Sequence, residues 1–111
     1  MSAGRLYERV RFEKPFRTSD GYGGFEDGWE TQFTLGAHYT WLRGTETVLA
    51  ARLEGRQPTV IRVRASSDTR GITTDWRAVD ERSGEIFNIR SIIETDNRAY
   101  FDITAESGVA T

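Results

Sequence analysis

The longest alternation of apolar and polar side chains runs from Trp29 to Leu42. Phe33, Leu35, Ala37, Tyr39 and Trp41 fall on one face, and Thr34, Gly36, His38 and Thr40 on the other. A period of two separates apolar from polar groups only in an extended strand, so this segment predicts a long strand with one buried face. Gly36 at its middle predicts a bulge or a sharp bend, as barrels need at their corners. Leu6 to Lys14 has the same period, with Val10 and Phe12 on one face and Arg9, Arg11 and Glu13 on the other. Pro15 cannot donate to a ladder, so it marks a strand end or an edge. The two segments predict a long hairpin.

Residues 15–29 lie between them and hold four of the eleven glycines. Gly21, Gly23, Gly24 and Gly28 permit backbone angles that a Cβ forbids. Tyr22, Phe25 and Trp29 offer large contact surfaces, and Asp20, Glu26, Asp27 and Glu30 outnumber Arg17 to give a local charge of −3. Such a loop at a hairpin tip either turns the chain or touches a partner.

Gly44 to Gly55 breaks the alternation. Thr45 is a plausible N-cap, Glu46 suits the positive end of a helix, and Gly55 suits its C-terminal stop. Leu49 and Leu53 share a helical face at i, i+4. A single helix of about three turns is predicted, with both leucines plugging an end or flank of the sheet. Further strands are expected at 59–65, 76–81, 85–94 and 100–106. Gly84 takes the turn position that needs a positive φ. Phe87, Ile89 and Ile93 share a face, with Ile86 and Ile92 opposite, which marks 85–94 as a central strand. Ser107 to Thr111 reads as a mobile tail. Six short antiparallel strands and one helix predict an all-β protein: a small six-stranded barrel with one short α-helix and a long N-terminal hairpin loop, in one domain over residues 1–111.

Composition narrows the function. There is no cysteine, so neither disulfides nor thiolate metal sites arise. Apolar runs are too short to span a bilayer and the N-terminus has no signal-like apolar core, so a soluble intracellular protein is expected, with no membrane partner. A lone His38 cannot anchor a zinc site or a nucleophile pair by itself. Adjacent acids such as Glu26-Asp27 and Asp80-Glu81 point to opposite faces of a strand and make no acid–base pair. Gly21-Tyr-Gly-Gly24 lacks the Gly-Lys-Ser/Thr ending of a phosphate loop. No catalytic, cofactor or metal set emerges, and an enzyme is not expected.

Fourteen of the 15 basic residues are Arg, the residue suited to interface pairing. Arg62 and Arg64, with Arg70, Arg77, Arg82 and Arg90, admit two readings. One is an Arg-rich rim pairing with acids of a neighbouring subunit. The other is an oligonucleotide-binding barrel using Arg62, Arg64 and nearby aromatics. The interleaved Asp68, Asp75, Asp80, Glu81 and Glu85 and a net charge of −2 favour the first.

Four blocks, in order, resemble the phage head–tail joining proteins, the head-closure or stopper proteins of long-tailed phages and gene transfer agents. They are Gly4-Arg-Leu-Tyr-Glu-Arg-Val-Arg-Phe12 with Asp20-Gly-Tyr-Gly-Gly24 and Trp29; Tyr39-Thr-Trp-Leu-Arg-Gly-Thr-Glu46; Ile61-Arg-Val-Arg64 with Gly71-Ile-Thr-Thr-Asp-Trp-Arg77; and Glu85-Ile-Phe-Asn-Ile-Arg-Ser-Ile-Ile93. The turn Asp80-Glu-Arg-Ser-Gly-Glu85 is longer than is usual there. The resemblance implies a virion component made in the host bacterial cytoplasm and placed at the particle neck. It implies a homo-oligomeric ring, a hexamer in preference to a dodecamer, beneath portal and adaptor proteins and above tail terminator or tail tube proteins. Double-stranded DNA would pass through without sequence recognition, and in some members a loop closes the channel. Acidic lining would suit sliding, because phosphate-neutralising contacts would retain the DNA. Interface or channel residues are then expected in two groups. Asp20, Tyr22, Phe25, Glu26, Asp27 and Trp29 belong to a docking or channel-lining hairpin. Arg43, Glu46 and Arg52 belong to a segment, 43–57, that could gate the lumen, and Arg62 and Arg64 complete the set.

Overall fold

The alternating segments all become strands and close on one another. A computed structural model describes residues 6–19, 21–42, 46–53 and 55–108. The strands are β1 (Glu8–Ser19), β2 (Phe25–Trp41), β3 (Gln57–Arg64), β4 (Arg77–Asp80), β5 (Ile86–Glu94) and β6 (Tyr100–Ser107). Helix α1 (Glu46–Leu53) joins β2 to β3, and a 3₁₀ turn at Thr69–Gly71 joins β3 to β4. All strand pairs are antiparallel, and the order β1-β2-β3-β6-β5-β4 closes into a barrel. Inward side chains fill it: Phe12, Phe87, Ile61, Ile103, Val10 and Val63 are its largest fully buried apolar groups. Phe33, Leu35 and Tyr39 pack against them, as the alternation of β2 predicts.

The hairpin is more ordered than its glycines suggest. Pro15 does not end β1, which continues to Ser19. The reason is positional: β1 pairs with β4 only over Val10–Glu13, so Pro15 lies where one side of the strand is already open. Most of the glycine-rich stretch is therefore ladder, with Pro15 opposite Trp29, Phe16 opposite Gly28 and Ser19 opposite Phe25. Only the tip turns, and there Gly21 and Gly23 take φ of 83° and 85°.

Two bulges reset which side chains face inward. One falls between Phe12↔Phe33 and Glu13↔Thr31, leaving Gln32 as the extra residue. The bulge expected at Gly36 thus sits four residues earlier. Gly36 serves a close approach instead, since a Cβ there would meet the Leu6 carbonyl oxygen at 3.1 Å. The second bulge leaves Arg90 between Ile89↔Ala105 and Ser91↔Thr104. One extra residue exchanges the faces beyond it. Ile92 therefore turns toward the core and Ile93 turns out, the reverse of the alternation read from the sequence. Closure also gives every strand two neighbours, so β5 is no more central than the rest.

Helix α1 is eight residues, two turns rather than three, and it lies against β3 with Ala51 buried. Leu49 and Leu53 do not plug the sheet; they are 49% and 89% exposed. Thr45, the expected N-cap, lies outside the described residues. The C-terminus ends as expected: the Arg56 N–H donates to the Ala51 carbonyl and the Gly55 N–H to the Arg52 carbonyl, with Gly55 at φ 83°. Of the expected tail, Ser107 is instead buried at the end of β6, and residues 109–111 lie outside the described residues. Gly108, at φ 84°, brings its backbone against Gly55 so closely that a Cβ would overlap the Gly55 carbonyl oxygen. Gly108→Ala combines that overlap with a disfavoured φ and is expected to destabilise the fold by about 1–3 kcal/mol, read from urea denaturation.

Candidate functional site

Beyond Glu13 the hairpin outgrows the barrel. β2 joins β3 only over His38–Trp41, and β1 joins β4 only up to Glu13, yet the β1–β2 ladder runs on to Ser19↔Phe25. Residues 14–30 thus form a two-stranded arm, and the molecule measures 51 × 36 × 25 Å along its principal axes. Its aromatics have no core to enter. Phe16 is 41% exposed, Phe25 64% and Tyr22, at the tip, 95%. Within the arm, Arg17 pairs with Asp27 at 2.9 Å and lies 5.3 Å from the centroid of Phe25. On the opposite face the Phe16 ring covers Gly28, where a Cβ would come within 2.6 Å of the ring. Glu26 and Glu30 are exposed.

A charged lock ties the arm to the barrel wall. Glu13 is outward-facing as its period predicts, but it is buried beneath its partners. Its carboxylate accepts from Arg77 Nε at 2.6 Å, Arg11 Nε at 2.9 Å and Thr31 Oγ1 at 3.2 Å. Arg11 also reaches Glu81 at 2.8 Å, and the Arg77 guanidinium stacks 4.5 Å from the Trp29 centroid. Burial alone would raise the Glu13 carboxyl, but Arg77 and Arg11 outweigh it and hold it below the usual carboxylate range. The Trp29 residue singled out from sequence is therefore the anchor at the base of the arm, not part of its tip.

A second buried carboxylate fixes the other end of the barrel. Tyr39 donates its hydroxyl to Asp80 at 2.7 Å, and Asp80 also accepts the backbone N–H groups of Arg82 and Ser83. Burial raises Asp80, yet the Tyr39 hydroxyl and those N–H groups lower it further, so it stays ionised. Burial and then the Asp80 hydrogen bond raise the Tyr39 hydroxyl, which stays protonated. Gly84 takes φ 77° in this turn, as expected. The site is a strut holding β2 to the β4–β5 turn, with both polar atoms committed to each other.

The remaining expected residues do not join the arm. Arg62 forms a bidentate pair with Asp102 at 2.6 and 2.8 Å and lies 5.4 Å from the Tyr100 centroid. The Asp102 hydrogen bond outweighs burial and raises Arg62 further. Arg64 is exposed at the end of β3. Glu46 and Arg52 are exposed at the first and last turns of α1. Asp20 and Arg43 lie outside the described residues. The arginine rim expected to await a neighbour's acids is largely paired within the chain. Arg70 meets Glu94, Arg77 meets Glu13, and Arg56 and Arg90 meet Glu106, while Arg82 approaches Glu8 at 3.9 Å. Among the described residues no group of three or more His, Cys, Asp or Glu could hold a metal ion. No helix among them is long and apolar enough to cross a membrane.

Sequence reading assigned no site role to Glu13 or Phe16 and placed Arg77 on a rim facing a neighbour rather than against Glu13. Folding the hairpin about Tyr22 aligns Phe16 with Gly28 and Arg17 with Asp27, so those pairs had a local signal. Glu13 and Arg77 are 64 residues apart, and nothing local links them.

A sequence profile described as phage head completion protein matches residues 1–108. No curated protein matches the chain. The solution structure of protein SF1141 from Shigella flexneri 2a is similar at 21% identity and a TM-score of 0.73, over 100% of both chains. A chain in the virion of a native gene transfer agent particle is similar at 23% identity and a TM-score of 0.63, over 93% of this chain and 94% of that one. At these identities both show a shared fold.

Proposed function

The chain belongs to the phage head completion protein family, and from that premise we propose that it is a ring-forming connector subunit between the portal–adaptor complex and the tail. It acts as a structural part rather than a catalyst. Copies complete the head, attach the tail and leave a central channel for double-stranded DNA. The observation that carries this reading is the arm: past its Trp29 anchor, the described residues of 14–30 extend beyond the strands of a closed barrel and expose Phe16, Tyr22 and Phe25, which have no core of their own. Exposed aromatics of this kind serve contact with a partner. The similarity to a chain of a gene transfer agent virion supports a place in a phage-like particle. Asp20, Tyr22, Phe25, Glu26 and Asp27 then belong to the docking or channel-facing end, and the 43–57 connection with its exposed Leu49 and Leu53 forms a second contact surface. The bidentate Arg62–Asp102 pair removes the free cation that a nucleic-acid reading requires at that position.

Complementation tests the reading. Particles made without the protein should accumulate as DNA-filled heads and free tails, and adding purified protein should restore tailed particles that carry it at the neck. Tails joining normally in its absence would sink the reading.

A further inference from the structure

The arm exposes two strand edges, and they differ in charge. On the β1 side, Lys14–Ser19 has no strand beside it among the described residues, because β4 stops at the Glu13↔Arg77 pair. On the β2 side, Phe25–Ala37 has none among the described residues, because β3 joins only from His38. An open edge presents unpaired N–H and C=O groups and is a template for another strand. The β1 edge carries Lys14 and Arg17 and no acid, whereas the β2 edge carries Glu26, Asp27 and Glu30 and no base. Arg17 and Asp27 pair with each other within the arm, so the contrast offered to a neighbour is Lys14 on one side and Glu26 and Glu30 on the other. The arm is also short of stabilisation, since an isolated two-stranded hairpin is marginal in water. Its apolar groups Phe16, Phe25 and Tyr22 stay exposed in the single chain.

We propose that the acidic β2 edge of one copy's arm pairs with the basic β1 edge of the next copy's arm. This rests on the ring reading above and says how the ring is sewn together. In a row of arms pointing the same way, β2 runs opposite to the following copy's β1, so the contact is antiparallel like every other pair in the fold. The surfaces differ on the two sides of each copy, and repeating one rotation closes such a head-to-tail contact into a ring. Repetition leaves no open edge on any arm and yields a continuous sheet standing on the barrels. At matching height the six residues Lys14–Ser19 of one copy face Phe25–Glu30 of its neighbour. Pairing β2 edge to β2 edge would instead set Glu26, Asp27 and Glu30 against like charges, which disfavours a two-fold dimer.

The absence of cysteine makes this directly testable. Thr18→Cys and Glu26→Cys are placed singly in separate chains, both at exposed positions outside the buried core. Each protein alone and a mixture of the two are treated with a mild oxidant, both in concentrated solution and in reconstituted particles. A disulfide needs Cα atoms within about 7 Å, which directly adjacent strands meet and like positions two strands apart do not. A covalent dimer forming from the mixture and not from either protein alone is the expected result. Dimers from either single variant alone would show like edges meeting and overturn the proposal. Tailed particles that contain both variants yet give no cross-link, in solution or in the particle, would also overturn it and leave the connector role standing. Tails that join without the protein would remove the connector role, and the solution cross-link would still decide how copies pair.

Discussion

Replacing Phe16–Gly28 with Asn-Gly is expected to leave a folded barrel and to abolish tail attachment. Pro15 and Trp29 are Cα partners, so a two-residue type I′ turn can join them without moving either strand. Every fully buried large side chain lies outside the removed segment, and Trp29 remains over Arg77. The barrel should therefore melt with one cooperative transition close to that of the parent, with near-ultraviolet circular dichroism showing retained aromatic packing. Complementation should fall to the level of particles with no protein added. A truncated chain that failed to fold would show the arm to be part of the core; one that folded and still joined tails would dismiss the arm as the contact element. Removing only Gly21–Gly28, the cut that a loop reading of the sequence suggests, is a poorer experiment. It would strand Phe16–Ser19 without partners and expose an apolar edge prone to aggregation.

The second large effect is on stability. Glu13→Ala is expected to destabilise the protein by about 3 kcal/mol, because it removes the buried carboxylate that Arg77 and Arg11 share at the base of the arm. The Arg77 side chain is only 17% exposed, so water cannot fully replace the lost carboxylate. That is a large share of the roughly 5–15 kcal/mol by which domains are stable. Urea denaturation would measure it, and a cycle with Arg77→Ala would isolate the pair, the double variant losing less than the two single losses added. The same carboxylate sets a pH dependence. Its folded pKa is depressed, so its contribution is whole above the ordinary glutamate value of about 4.3 and is lost as pH falls through the folded value. Asp80 shifts in the same direction and adds to the loss. Melting temperature should therefore drop as pH falls below about 4, and the drop should be shallower in Glu13→Gln. An equal slope in that variant would assign the acid sensitivity elsewhere.

Most of the secondary structure was legible because period-two burial is a local property. Val10 and Phe12, then Phe33, Leu35, Ala37 and Tyr39 of β2, and Phe101, Ile103 and Ala105 of β6 all reach the core their spacing assigns them, whereas Trp41 at the end of the same β2 face is 43% exposed. Turn chemistry was equally local, as Gly84 and Gly55 show. Legibility failed where a neighbour decides. Ile93 points outward because Arg90 is squeezed out of the β5–β6 ladder, and only the register with β6 creates that bulge. Leu49 and Leu53 share a helical face, but of the three residues Ala51 alone is buried, so the apolar pair is left in water.

The sequence alone determined that the chain would be antiparallel β, would carry a long N-terminal hairpin with an acidic aromatic tip, and would resemble head–tail joining proteins. Those properties rest on side-chain period, charge and short blocks, each contained within a single stretch of chain. Tertiary structure alone decided that the hairpin becomes an arm. Closure of six strands ends the partners of β1 at Glu13 and of β2 at His38, and the ladder beyond those points has no further strand to pair with among the described residues. It also decided that Glu13, Arg77 and Trp29 lock that arm's base, because barrel closure brings together residues that no local pattern connects.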